Sequence, residues 1–192
     1  MQLEEVKPGS FIYRRRQALE NNFCDDVVAR FEHAVDEQYP GRIGQDQQSH
    51  ADIKKTVDLR VSGKPQWADV DSTLFESLRN SLSEVCAVHP FFSSNSFKDH
   101  GYNLQRYRAG EYYRWHVDAG PGPFSQRQLV AIWYLNNVDG PGGETEFAFQ
   151  DIKIKPTAGD LLLFPPFWTH VHRSIELQAG SKYIATTWVC FS

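Results

Sequence analysis

The sequence has few cysteines and no motif that would pair them. Its three cysteines are Cys24, Cys86 and Cys190, which are widely spaced and form no Cys-x-x-Cys pair. An odd and sparse set of this kind argues against a disulfide framework and against a cysteine-based zinc site. We therefore expect a protein of a reducing compartment, the cytoplasm.

Long apolar runs and an excess of positive charge are also missing. No apolar stretch reaches the roughly 18 residues that a membrane span needs. The N-terminal residues Met-Gln-Leu-Glu-Glu lack the basic and apolar regions of a secretory signal, so we expect neither secretion nor membrane association. The 24 acidic residues outnumber the 20 lysines and arginines, for a net charge of −4. This balance gives no reason to expect a nucleic acid partner.

The first 100 residues carry two helical patterns. Apolar side chains recur at helical spacing from about Phe23 to Gln38 and again from Asp69 to Ala87. Between them, residues 41–55 are polar and predict a surface loop, whereas Thr56 to Val61 alternates as a strand does. This half therefore predicts a helical layer with a few leading strands.

From Gly101 onward the chain changes to short strand patterns separated by glycine- and proline-rich turns. The predicted strands are 102–107, 112–117, 128–135, 144–149, 151–154, 160–164, 170–174 and 181–190. Eight strands with no helix between them favour an antiparallel barrel or jelly roll. We expect one domain over residues 1–192, mostly β with an α cover. Residues 1–100 would form helices packed on one sheet, and residues 101–192 a double-stranded β-helix, or jelly roll.

Residues able to bind a metal occur on two of these predicted strands. His116 and Asp118 are two residues apart, so an extended strand would place both on one face. His170 and His172 have the same spacing further along, and strand parity does not choose between them. Alone, a His-x-Asp pair is more often an ordinary polar strand face. Two histidines and one carboxylate, however, are a ligand set for non-haem Fe(II), and zinc accepts the same ligands.

The stretch from Gln105 to Trp188 resembles the Fe(II)/2-oxoglutarate-dependent dioxygenases, specifically their prolyl 4-hydroxylase-like branch. The matching motifs are Tyr107-x-x-Gly110-x-x-Tyr113-x-x-His116-x-Asp118, the run Leu129 to Asn136, Gly142-Gly143-Glu144-Thr145-x-Phe147, Lys155-Pro-x-x-Gly159-Asp160 to Phe164, and Gly180-Ser-Lys182-Tyr183 to Trp188. The resemblance covers the C-terminal half, and residues 1–100 match only as a helical cover.

The resemblance implies the metal ligands His116, Asp118 and His172. In this family the distal histidine precedes the co-substrate's basic residue by about ten positions, and a glycine stands two residues before that basic residue. Lys182 follows His172 at this spacing, with Gly180 in the expected place. His170 then becomes either a support for the site or a buried polar residue.

The resemblance also implies the cofactors and the reaction. Lys182 and Tyr134 would bind the distal carboxylate of 2-oxoglutarate, and Tyr107 would lie near it. Fe(II), 2-oxoglutarate and O2 would be required, with ascorbate as a reductant. The expected reaction hydroxylates an unactivated C–H bond and releases succinate and CO2.

The substrate is left open by the sequence. A prolyl or other residue in a peptide or protein is the first expectation, and a free amino acid or small metabolite is the alternative. A non-catalytic metal-binding barrel or a zinc hydrolase would leave Lys182 and Tyr134 without a purpose.

Several residues of the C-terminal half are expected to contact the substrate. Arg114, Arg173 and Tyr113 are the residues predicted to do so, Arg114 because it shares strand parity with His116. On this basis, replacing Arg114 with Ala is expected to raise the substrate KM. Residues 41–50 and 120–124 are the expected lids.

Overall fold

The computed structural model of the protein describes residues 2–44 and 47–192. Within these ranges the α-helices are α1 (Asn21–His33), α2 (Ala68–Val88) and α3 (Pro90–Ser93). The strands are β1 (Glu4–Glu5), β2 (Tyr13–Arg15), β3 (Tyr39–Pro40), β4 (Lys54–Lys55), β5 (Val57–Arg60), β6 (Phe97–Asp99), β7 (Asn103–Arg108), β8 (Tyr112–His116), β9 (Arg127–Tyr134), β10 (Thr145–Phe147), β11 (Ile152–Ile154), β12 (Leu161–Phe164), β13 (His172–Ser174) and β14 (Ser181–Phe191). Four single turns of 3-10 helix lie at Val35–Glu37, Pro65–Trp67, Gly122–Phe124 and Trp168–His170.

The strands form two antiparallel sheets. The major sheet has the order β1-β2-β12-β9-β14-β7-β5-β3, and β6 pairs with the end of β14. The minor sheet has the order β11-β10-β13-β8-β4. The predicted fold class, mostly β with a jelly-roll core and a helical cover on one sheet, is confirmed.

Strand β9 shows how the sequence creates two hydrophobic layers. Its apolar run is continuous, so both faces of the strand are buried. Leu129, Ala131 and Trp133 pack in a cluster with the buried faces of α1 and α2. Val130, Ile132 and Tyr134 point the other way, into the space between the two sheets. The major sheet therefore lies between a helical layer and the interior of the jelly roll.

The two predicted helices occur as α1 and α2, with changed ends, whereas α3 was not predicted. Helix α1 spans Asn21–His33 rather than residues 23–38, because the backbone leaves the helical region at Ala34 (φ −85°, ψ 47°) and continues as the 3-10 turn Val35–Glu37. Helix α2 is one residue longer at each end than predicted. No helix in the described ranges has the length and apolar character to cross a bilayer.

The loop predicted for residues 41–55 is wrong at its C-terminal end. Lys54–Lys55 forms β4 by pairing with Tyr112 and Tyr113 of β8, a long-range contact that no local pattern announces. Residues 45 and 46 of this loop lie outside the described part of the chain.

Each of the eight strands predicted after Gly101 has an observed counterpart. Near the expected metal ligands, two of these strands have boundaries that differ from the prediction. Strand β13 begins only at His172, because Trp168–His170 forms a 3-10 turn. Strand β8 ends at His116, so Asp118 follows the strand instead of lying in it.

Candidate metal centre

Three of the predicted site residues converge in one cavity between the two sheets. His116, Asp118 and His172 each offer one ligand atom, and these atoms all lie within 4.8 Å of one another. His116 and His172 are direct partners across the β8–β13 pairing, with ring centroids 4.2 Å apart. The Nε2 atom of His172 lies 3.3 Å from Oδ2 of Asp118. Two facing strands and the residue just beyond one of them therefore bring the three groups together.

Backbone carbonyls fix the orientation of both imidazoles. Nδ1 of His116 lies 2.7 Å from the carbonyl oxygen of Arg114, and Nδ1 of His172 lies 3.0 Å from that of His170. A carbonyl only accepts, so each Nδ1 carries the proton and each Nε2 keeps a free lone pair. This tautomer is the one that histidine adopts when Nε2 binds a metal.

The charge states of the cluster also suit a cation. Burial, together with the neighbouring His172, lowers the pKa of His116 to about 3, so its imidazole is neutral. Burial alone would raise the pKa of Asp118, but its polar and charged surroundings, which include Arg127, hold it below the usual range. Two imidazoles and one carboxylate therefore meet here, which is a donor set that fits Fe(II) or Zn²⁺.

The sequence predicts that His170 and His172 lie on one strand face, but the structure does not place them so. It belongs to the 3-10 turn Trp168–His170, and its Nε2 contacts the carbonyl oxygen of Ser10 at 2.9 Å. Its Nδ1 contacts Oγ1 of Thr169 at 2.9 Å. His170 thus supports the site through its backbone carbonyl, which orients His172.

Lys182 is a buried cation next to this cluster. Its side chain is 1% exposed, and Nζ donates to the carbonyl oxygen of Gly143 at 2.8 Å and to Oγ of Ser174 at 2.9 Å. It forms no ion pair within the described residues, since Glu144 pairs instead with Lys155 at 3.1 Å. Burial lowers the pKa of Lys182 to about 7. One N–H therefore remains for an anion, which would remove the cost of an unpaired buried charge.

Tyr107 and Tyr134 lie beside Lys182 but direct their hydroxyls elsewhere. The Tyr107 ring is 4.9 Å from Nζ of Lys182, and its hydroxyl donates to Gln105 at 3.2 Å. The hydroxyl of Tyr134 donates to Oγ1 of Thr145 at 2.7 Å, and Thr145 lines the cavity that holds the metal cluster. Thr145 belongs to the motif Gly142-Gly143-Glu144-Thr145, for which the sequence predicts no binding role, and it links the Tyr134 hydroxyl to the cavity wall.

A β-bulge overturns the expected position of Arg114. In the pairing of β13 with β8, His172 faces His116 but Ser174 faces Tyr113, so β8 carries one extra residue in this interval. Tyr113 and His116 consequently share a face, and their rings stack 3.5 Å apart at 13°. The prediction that Arg114 shares the face of His116 is wrong: its side chain is exposed and lies over the Tyr112 ring.

Arg173 and Arg127 are the arginines that do reach the centre. Arg173 lines the metal cavity and forms an ion pair with Glu146. Arg127 is buried, donates from Nη1 to the carbonyl oxygen of Asp118 at 2.7 Å, and lies 3.7 Å from the Trp188 ring centroid. It thereby fixes the backbone of a predicted ligand. No strand periodicity marks Arg127 for this role, because its partner Asp118 follows a strand instead of belonging to one.

Comparison with known proteins shows which families the chain is similar to. Residues 102–190 match the family described as the 2OG-Fe(II) oxygenase superfamily. The relatives that the chain matches include prolyl 4-hydroxylases. The chain is 30% identical over 136 residues to prolyl 4-hydroxylase 13 of Arabidopsis thaliana, which covers 57% of this chain and 48% of that protein.

Two further comparisons extend this similarity. A PKHD-type hydroxylase of Teredinibacter turnerae is 31% identical over 144 residues, 70% of this chain and 62% of that protein. The solved structure of a Trichoplax adhaerens prolyl hydroxylase in complex with a hypoxia inducible factor oxygen degradation domain peptide fragment shares the fold, with a TM-score of 0.80 over 95% of this chain and 84% of that one at 17% identity. The chain spans about half the length of the Arabidopsis relatives that it matches.

Proposed function

We propose that the protein is an Fe(II)- and 2-oxoglutarate-dependent dioxygenase that hydroxylates a prolyl residue in a peptide or protein. The observation that carries the proposal is the convergence of His116, Asp118 and His172 beside the buried Lys182, which forms no ion pair with any residue that the structure describes. A bound metal ion would need only the three ligands His116, Asp118 and His172. A dicarboxylate co-substrate also needs a fixed cation. A metal-binding barrel without catalysis gives Lys182 no function.

Each residue has a distinct part in this mechanism. His116, Asp118 and His172 would hold Fe(II). Lys182 and Thr145 would bind the distal carboxylate of 2-oxoglutarate. Tyr134 would orient Thr145, and Tyr107 would form part of the cavity wall beside Lys182. The bound metal and co-substrate supply the oxidation that converts 2-oxoglutarate and O2 to succinate and CO2 while a substrate C–H becomes C–OH. The protein fixes the ligands, excludes water through its apolar walls and positions one C–H bond.

A peptide substrate is favoured over a free amino acid by a second, larger cleft. This cleft has a volume of about 410 Å³ and shares Gln105, Tyr113, Asp118 and Trp188 with the metal cavity. It therefore extends the site beyond the place where a single target residue would lie. The described parts of both predicted lids, residues 41–50 and 120–124, contribute to its walls.

Three further points belong to the proposal. Ascorbate is the proposed reductant that keeps the metal as Fe(II). The cytoplasm is the proposed location, supported by the free state of Cys24, Cys86 and Cys190. Residues 1–192 are proposed to act as one catalytic unit, because the helices pack on the sheet that carries Lys182.

The test is a turnover assay on proline-containing peptides with Fe(II), 2-oxoglutarate and O2. We expect stoichiometric succinate and a gain of one oxygen atom on a prolyl residue, both measured by mass spectrometry. The variant Asp118→Ala should abolish both, and Arg114→Ala, which changes an exposed side chain, should retain both. Hydroxylation of free amino acids but not of peptides would support the alternative substrate class.

A further inference from the structure

The cleft beside the metal cavity is lined by an excess of positive charge. Among the described residues of its wall, four are lysines or arginines: Arg42, Lys54, Arg60 and Arg127. Asp58 and Asp118 are the carboxylates among these described residues. The protein as a whole has a net charge of −4, so this cleft departs from the average of the molecule.

Two of the four cations are already occupied. Nζ of Lys54 lies 2.6 Å from Oδ2 of Asp58 in a buried ion pair, and Arg127 donates to the backbone of Asp118. The carboxylate of Asp118 belongs to the metal cluster. The two carboxylates of the wall therefore leave no charge to neutralise the remaining arginines.

Arg42 and Arg60 are the two cations of the cleft whose charge no described carboxylate neutralises. Both side chains are exposed, and neither forms an ion pair with any residue that the structure describes. Arg42 lies 4.8 Å from the Tyr39 ring centroid, and Arg60 donates from Nε to the carbonyl oxygen of Ser62 at 3.3 Å. His100, also in the wall, does not add reliably to this charge, because burial and Arg127 lower the pKa of its imidazole.

We propose that this cleft binds an acidic peptide segment adjacent to the residue that is hydroxylated, with Arg42 and Arg60 as the specificity-determining residues. The inference rests on the proposed function, because the cleft joins the metal cavity at Tyr113, Asp118 and Trp188 and would therefore lie beside the residue that is hydroxylated. A volume of about 410 Å³ lies in the range that holds a drug-sized ligand, so it has room for several atoms beyond the target residue. A flanking Asp or Glu side chain would supply a carboxylate for Arg42 and Arg60.

The test measures binding separately from turnover. Two labelled peptides share one sequence around a central proline and differ only in having Glu or Gln within three residues of it. Fluorescence anisotropy without O2, in the presence of Fe(II) and 2-oxoglutarate, gives their Kd values. Because the arginines are exposed, we expect the Glu peptide to bind about five-fold more tightly at low salt, with a smaller ratio at high salt.

Two variants test whether Arg42 and Arg60 cause the preference for the Glu peptide. The double variant Arg42→Gln/Arg60→Gln should reduce the ratio to less than about two-fold. Arg114→Gln is the matched control, since it removes an exposed arginine that does not line the cleft, and it should keep the full ratio.

The outcomes separate this inference from the proposed function. No preference in the wild type, or the same preference in the double variant, overturns the inference even if prolyl hydroxylation is observed. Free glutamate competing as well as the Glu peptide overturns the peptide part of it. An Arg42- and Arg60-dependent preference in a protein that never forms succinate supports the cleft and contradicts the hydroxylase.

Discussion

Lys182 is the residue whose protonation should be most visible in the behaviour of the protein. Burial lowers its pKa to about 7, so the free side chain is an ammonium below that pH and neutral above it. Only the ammonium attracts a carboxylate, and a bound carboxylate in turn raises the pKa of Lys182. Binding of 2-oxoglutarate above pH 7 must therefore take up a proton.

The Kd of 2-oxoglutarate should consequently rise about ten-fold for each pH unit above 7. Isothermal titration without O2 from pH 6 to 9, in two buffers of different ionisation enthalpy, measures both the Kd and the proton uptake. Lys182→Arg is the control, because guanidinium keeps its charge over this range, and its Kd should be nearly flat with pH. A flat wild-type profile would contradict the role given to Lys182.

His170 and His172 should respond differently to removal. His172→Ala deletes a proposed ligand and should weaken Fe(II) binding by more than about 100-fold, whereas His170→Ala leaves the carbonyl that orients His172 and should change it only a few-fold. Anaerobic equilibrium dialysis with Fe(II) measures both affinities. The His170 variant should instead lose about 1 kcal/mol or more of unfolding free energy, because the carbonyl of Ser10 loses its donor. Equal loss of iron from both variants would refute the assignment.

At the scale of single elements, the bulge in β8 decides which side chains reach the centre. It places Tyr113 on the face of His116 and turns Arg114 outward. Arg114→Ala should therefore leave the substrate KM within about two-fold of the wild type, as expected for an exposed side chain away from the site. Steady-state kinetics on any accepted peptide tests this. A clear rise in KM would show that Arg114 reaches the substrate after all.

The turn before β10 is a second element on which the site depends. Gly142 has φ +84°, and a Cβ there would lie 2.0 Å from the carbonyl oxygen of Glu176. Gly180 has φ +74° but open space around it. Gly180→Ala should therefore cost only the conformational penalty of about 1–2 kcal/mol, and Gly142→Ala clearly more. Chemical denaturation measures both.

Displacement of this turn by Gly142→Ala should also weaken co-substrate binding. Gly143, next to Gly142, supplies the carbonyl that accepts from Lys182. Gly142→Ala should thus weaken 2-oxoglutarate binding, while Gly180→Ala should not. Equal stability losses in the two variants would contradict the steric argument.

At the scale of the whole molecule, the sequence predicted what depends on local periodicity and short spacing. The two long helices and the strands after Gly101 follow from such patterns. The set of His116, Asp118 and His172, which the structure brings together, is implied by the family resemblance and not by strand parity. The β4–β8 pairing and the β8 bulge do not, because they arise between segments far apart in the chain. The burial of Arg127 against Asp118 and Trp188 is of the same kind. Long-range register and side-chain partners are decided by tertiary packing, which a single sequence does not display.

The central claim, that His116, Asp118, His172 and Lys182 form one site for Fe(II) and 2-oxoglutarate, has a direct test. The protein is titrated with Fe(II) and then with 2-oxoglutarate in the absence of O2, and the visible absorption spectrum is recorded. The account predicts a weak charge-transfer band that appears only when both are present, saturates at one equivalent of each, and is lost in His172→Ala. Saturation with Fe(II) and 2-oxoglutarate without such a band would contradict it.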